Sequence, residues 1–133
     1  MSTAYDLRLV STRTGYALGR ILLALVFLFS GATKAWHWER GVVEVQGLGL
    51  PEVALPATIL LQLGLGTLLA LGIRVRLAAG GLAAFTVAAT LLAHTGWSIG
   101  AAGWLHRATI FFEHLAIVGG LLAIAAAGPR PRR

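Results

Sequence analysis

Four long apolar runs, separated by short polar breaks, set the pattern of this chain. The first extends from about Gly15 to Ala35 and is interrupted by Arg20 and Lys34. The second runs from about Ala54 to Ile73, the third from Leu77 to His94 and the fourth from Ala108 to Ala127. Each comes to roughly 18–21 residues, close to the roughly 20 that a helix needs to cross the hydrocarbon core of a bilayer. In lipid, a lone segment satisfies its backbone groups only as a helix. The pattern therefore predicts an all-α, four-helix transmembrane bundle with antiparallel up-down topology, forming a single domain over residues 1–133.

The breaks carry their own signals. Arg74-Val75-Arg76 is so tight a connection that the second and third spans must be antiparallel neighbours. Trp36 to Glu52 alternates charged residues with valines and ends in Gly47-Leu48-Gly49-Leu50-Pro51, which predicts a short interfacial helix stopped at the glycines. Pro56 falls in the first turn of the second span, where its missing N–H costs nothing. Thr95 to Arg107 is a glycine-rich loop with Trp97 and Trp104, and Gly128-Pro129 stops the last helix before a basic tail. The run Ile21 to Phe29 followed by Ser30-Gly31-Ala32 also has the outline of a signal peptide, but three further spans would hold the protein in the membrane after cleavage.

Charge orients these spans. Arg8, Arg13, Arg74, Arg76, Arg130, Arg132 and Arg133 fall on one side, and Lys34, Arg40 and Arg107 on the other, so the positive-inside rule predicts cytoplasmic termini. Topogenic arginines account for the net charge of +6, and a nucleic-acid partner is not needed to explain it. All four tryptophans and all four histidines then lie in the outer half, with Glu39, Glu44, Glu52 and Glu113. Only 12% of residues are charged and the mean hydropathy is +0.80, which places the chain among integral membrane proteins. The absence of cysteine excludes a thiolate metal site, an iron–sulfur cluster or a thiol relay within the chain.

Helices in lipid associate through small residues and side-chain hydrogen bonds, so small-and-polar stripes mark the faces that turn inward. The first span offers Arg20, Ala24, Gly31 and Lys34, and the second Thr58, Gln62, Gly66 and Ala70. The third offers Ala79, Ala83, Thr86, Thr90 and His94, and the fourth His106, Thr109, Glu113, Ala116 and Gly120. Within the fourth, Glu113 and His114 stand out as ionisable groups at a depth where they are costly and ordinarily face a protein interior. At about 1.5 Å per residue they lie roughly 8–9 Å below the outer end, and Gln62 lies about 12 Å down its own span. Convergence of Glu113, His114, Lys34, His94 and Gln62 is expected. A Lys34–Glu113 pair between the first and fourth spans is the simplest contact, and Arg20, at the opposite end, snorkels or bonds inside the bundle. His94 and His114 come from different spans, as axial haem ligands do, but no His pair at i, i+4 and no HxxxE motif accompanies them. Neither metal nor haem is expected.

Gly19-Arg20, Phe27-Leu28-Phe29-Ser30-Gly31 with Lys34, Gly49-Leu50-Pro51, Leu71-Gly72-Ile73-Arg74-Val75-Arg76-Leu77-Ala78, and Phe111-Phe112 with Leu115-Ala116 and Gly119-Gly120-Leu121-Leu122 resemble, in that order, the DoxX family of four-span membrane proteins. The resemblance implies a quinone-linked or redox-associated subunit of the bacterial inner membrane. The family commonly carries Glu where this chain has Gln62, and a Lys-Asn pair where it has Glu113-His114. A quinone head-group or proton-handling site at the five convergent residues is the leading expectation, with catalysis residing in a partner within a larger membrane complex or homo-oligomer. The alternative is a non-enzymatic structural subunit that packs through its glycine-rich faces.

Overall fold

The computed structural model describes residues 12–129 and is all-helical over that range. Its helices are α1 (Thr12–Trp36), α2 (Trp38–Gly47), α3 (Ala54–Leu71), α4 (Val75–Ala93) and α5 (Trp104–Ala127). Four of them, all but α2, are long and apolar enough to span a membrane. The basic tail from Arg130 onward, and Arg8, lie outside the described residues.

Antiparallel pairs build the bundle: α1 packs along α3, α4 along α5, α3 meets α4, and α1 touches α5 more lightly. The turn between α3 and α4 is Gly72-Ile73-Arg74, as short as the expected Arg74-Val75-Arg76 but two residues earlier, because Val75 already belongs to α4. Gly72 (φ +74°) closes α3 in a Schellman motif, with Ile73 N–H donating to the Leu68 carbonyl and Gly72 N–H to that of Leu69. Arg74 then takes the left-handed conformation as well (φ +49°) and starts α4.

The expected interfacial helix is α2. It follows α1 after a single break at His37 and folds back over the start of α3, where Val45 packs with Leu55 and Ile59. Close approach there depends on Gly41, where a Cβ would stand 2.6 Å from a Leu55 methyl. At the other loop, α5 begins four residues earlier than hydropathy indicates. Its first turn, Trp104 to Arg107, is helical although it carries His106 and Arg107, and Arg107 donates to the Ala102 carbonyl.

Three of the four expected inward stripes are buried or half-buried. Those of α1, α3 and α4 include Ala24, Gly31, Gln62, Gly66, Ala79, Ala83, Thr86 and Thr90. The stripe on α5 is a correction: His106, Thr109, Glu113 and Ala116 are exposed, and the inward face carries Ala108, His114, Ile117, Leu121 and Ile124. Neighbouring residues on a helix point about 100° apart, so Glu113 and His114 cannot both face the interior.

Burial is layered. The main apolar cluster, which includes Ala24, Phe27, Leu69, Val75, Leu82 and Leu121, fills the end near the α3–α4 turn. A smaller one, Val45, Leu55 and Ile59, lies under α2 at the tryptophan-bearing end. Between them sits a polar layer: Gln62, Thr86 and Thr90 are the buried polar side chains of the described residues. Large apolar side chains such as Phe29, Leu60 and Leu22 point outward, as a surface facing lipid requires.

Candidate functional site

A cavity of about 310 Å³ occupies the polar layer, with walls from all five helices and the α2–α3 loop. Ser30 and Lys34 come from α1, Glu44 from α2, Thr58 and Gln62 from α3, Thr86 from α4 and His114 from α5, and His94 stands where α4 ends. Phe27, Phe85, Leu92 and Ile117 supply apolar wall. Val26 and Leu92 line it while remaining 45% and 56% exposed, so the cavity has apolar openings on the lipid-facing surface.

Two hydrogen-bonded groups flank this space. On the α1–α3 side the Ser30 hydroxyl is the hub: Lys34 Nζ donates to its Oγ at 2.9 Å and Gln62 Nε2 at 3.2 Å. Lys34 also lies 3.7 Å from Glu44, a mostly exposed carboxylate. With its amide nitrogen committed to Ser30, Gln62 turns its carbonyl oxygen elsewhere, and that Oε1 is buried without a hydrogen-bond partner. An unmet acceptor in such surroundings costs about 1–3 kcal/mol.

On the α4–α5 side, Thr86 donates to the Leu82 carbonyl at 2.8 Å and Thr90 to the Thr86 carbonyl at 2.6 Å, each bonding back along its own helix. A hydroxyl has one proton. Thr90 spends it on Thr86, so its 2.9 Å contact with His114 Nδ1 makes that nitrogen the donor. In a neutral ring this leaves Nε2 an acceptor. His94 stands edge-on to His114 with ring centroids 4.6 Å apart.

Lys34, Gln62, His94 and His114 therefore converge as expected, and Glu113 does not. It lies exposed on the outer face of α5, in a shallow depression with Trp97, Trp104 and Phe112. The expected Lys34–Glu113 pair is replaced by Lys34 with Ser30 and Glu44. Arg20 sits at the far end of the bundle, with its guanidinium 5.6 Å from the Tyr16 ring and packed on Gly72. Ser30, Glu44 and Thr58 are cavity residues that sequence reasoning passed over as site groups. The Ser30–Lys34 spacing of i, i+4 was the available signal for the first. Among the described residues no group of three or more His, Asp or Glu is placed to hold a metal ion.

A family model described as DoxX matches residues 15–95, which take in Lys34, Gln62 and His94 and stop short of His114. Inner membrane protein YqjF of Escherichia coli (strain K12) is 30% identical over 115 residues, covering 86% of this chain and 85% of that protein. No solved structure matches. With four spans and this relative, the chain is a multi-pass protein of the bacterial inner-membrane type. With the family model matching more than half of its length and a relative at 30% identity over most of both chains, the chain belongs to the DoxX family.

Proposed function

We propose that the chain is a membrane component of a quinone-linked redox system and that the central cavity receives the quinone head group. The observation that carries this reading is Lys34 Nζ, a cationic donor that Ser30 Oγ holds at 2.9 Å, both residues lining a 310 Å³ space. The volume sits at the low end of the roughly 300–1,000 Å³ typical of small-molecule sites, enough for a single ring. The lipid-facing openings beside Val26 and Leu92 let an apolar tail lie in the bilayer. A bound quinone supplies reversible electron and proton exchange at its two ring oxygens. This chain's own residues would hold the ring: Lys34, held by Ser30, would donate to a ring oxygen, and Phe27, Phe85 and Ile117 would supply the apolar wall that excludes water. On the orientation that the positive-inside rule predicts, the cavity belongs to the outer leaflet, and electrons would pass to or from a partner protein.

The test is direct. Protein purified from native membranes in mild detergent should retain close to one quinone per chain, identified by extraction and chromatography. Ser30→Val, which removes the hub for Lys34 and Gln62, should lower retention at least fivefold. A quinone-free preparation that also fails to take up an added short-tailed benzoquinone would sink the reading in favour of a purely structural subunit.

Glu113 provides a contrast. Glu113→Gln should alter quinone retention by less than twofold, because the carboxylate lies outside the cavity. Equal losses in Glu113→Gln and Ser30→Val would show that the cavity is not the site.

A further inference from the structure

We propose that the end of the bundle opposite the cavity binds the phosphate of an anionic phospholipid through Arg20, Arg74 and Arg76. The three guanidiniums come from α1, the α3–α4 turn and the start of α4. None of them donates a hydrogen bond to the described residues or pairs with a carboxylate among them. The described carboxylate side chains, Glu39, Glu44, Glu52 and Glu113, lie toward the tryptophan-bearing end, where Glu44 already faces Lys34 at 3.7 Å. The cluster therefore has no protein counter-ion among the described residues.

Two of the three guanidiniums are held in place without hydrogen bonds. That of Arg20 rests on Gly72, the left-handed residue that closes α3, with Nη1 against the position a Cβ would take. That of Arg76 rests on Gly128, the residue that caps α5, where a Cβ would stand 2.6 Å from Nε and 3.0 Å from Cζ. Tyr16 joins the two seats. Its ring centre lies 5.6 Å from Arg20 Cζ, and its hydroxyl donates to the Gly128 carbonyl at 2.8 Å. Of the Arg20 nitrogens Nε alone is buried, which leaves both Nη groups accessible to a ligand. Arg74 and Arg76 are exposed.

A guanidinium fork donates two parallel hydrogen bonds to a phosphate, and a seated, unpaired fork loses little freedom in doing so. Position selects the source of that phosphate. The cluster stands where α3 and α5 end and α4 begins, the level at which hydrocarbon gives way to headgroups. Leu71, Ile73 and Leu77, beside the arginines in sequence, are exposed apolar side chains on which acyl chains can lie. A free phosphate has no use for them. On the orientation that the positive-inside rule predicts, this is the cytoplasmic leaflet.

A basic residue beside anionic headgroups contributes about fivefold in affinity. Native mass spectrometry of the purified chain, equilibrated in detergent with equal amounts of phosphatidylglycerol and phosphatidylethanolamine, counts the lipid that stays bound. One phosphatidylglycerol should be retained at least tenfold over phosphatidylethanolamine. Arg20→Gln and Arg76→Gln should each cut that preference at least threefold. Arg40→Gln, which removes the same charge from α2 at the other end, should leave it within twofold, and excess inorganic phosphate should not displace the lipid. Arg76 is exposed, so its variant keeps the test decisive if Arg20→Gln does not fold. Equal retention of the two lipids, a preference unchanged in both variants, or an equal loss in Arg40→Gln would overturn the proposal. Displacement by inorganic phosphate would overturn it too, by giving the site to a free anion.

Discussion

Gly72→Val should lower the unfolding free energy by roughly 2–4 kcal/mol, the largest loss expected from any single substitution considered for this chain. Two costs combine at this position. The residue holds φ +74°, a conformation in which a branched side chain is strained. A Cβ placed there would also collide with Nη1 of Arg20 and stand 2.8 Å from its Cζ. Arg20 cannot retreat freely, because its Nε is buried and its guanidinium lies beside the Tyr16 ring. Gly80→Ala is the control. It sits inside α4 with open space where the Cβ would go, and should be neutral or slightly stabilising. Denaturant titration of both variants in one detergent, followed by far-ultraviolet circular dichroism, measures the difference. Equal midpoints for the two would mean that the α3–α4 turn does not need its left-handed glycine.

Gly31→Val attacks the cavity instead of the turn. The new Cβ would stand 2.9 Å from Cγ and Cδ2 of Leu63 and 3.3 Å from Cβ of Gln62, so α1 and α3 must separate at the level of the cavity wall. Overpacking of this kind costs about 1–3 kcal/mol. The functional loss should be larger than the stability loss implies. The Ser30–Gln62 bond is already 3.2 Å long, and a shift of about 0.5 Å takes it beyond hydrogen-bonding range. Benzoquinone affinity should fall at least tenfold in a protein that still folds. An affinity within twofold of wild type would show that the α1–α3 spacing does not define the cavity.

Much of this architecture was legible in the residues. The spans follow from hydropathy and length, the α2 stop from Gly47 to Pro51, and the tight turn from two arginines next to a glycine. The inward faces of α3 and α4 could be read because Gln62, Thr86 and Thr90 mark them within the spans, and that of α1 because Ala24 and Gly31 line up with Lys34. On α5 that logic chose the wrong stripe. Small residues are scattered around this helix, and an acid drew the reading toward Glu113, whereas the spacing of Ile117, Leu121 and Ile124 runs through His114. The partners of Lys34 were hidden for another reason. Pairing with Glu44 depends on α2 folding back over α3, a tertiary event with no periodicity to announce it. Nor does a sequence reveal that one hydroxyl, Ser30, serves both Lys34 and Gln62.

The layering of the bundle also bears on how a ligand enters. At the base, the last turn of α5 is clasped to α1 by the Tyr16 hydroxyl, which donates to the Gly128 carbonyl at 2.8 Å, and Arg76 from α4 packs on the same glycine. The densest apolar cluster lies just above this clasp. Toward the tryptophan-bearing end the helices part around the cavity, and α1 and α5 touch only lightly. The bundle is thus pinned at the end where the arginines are, away from the cavity. On the function proposed above, a ring arriving from the bilayer would reach the cavity without having to disturb that pin.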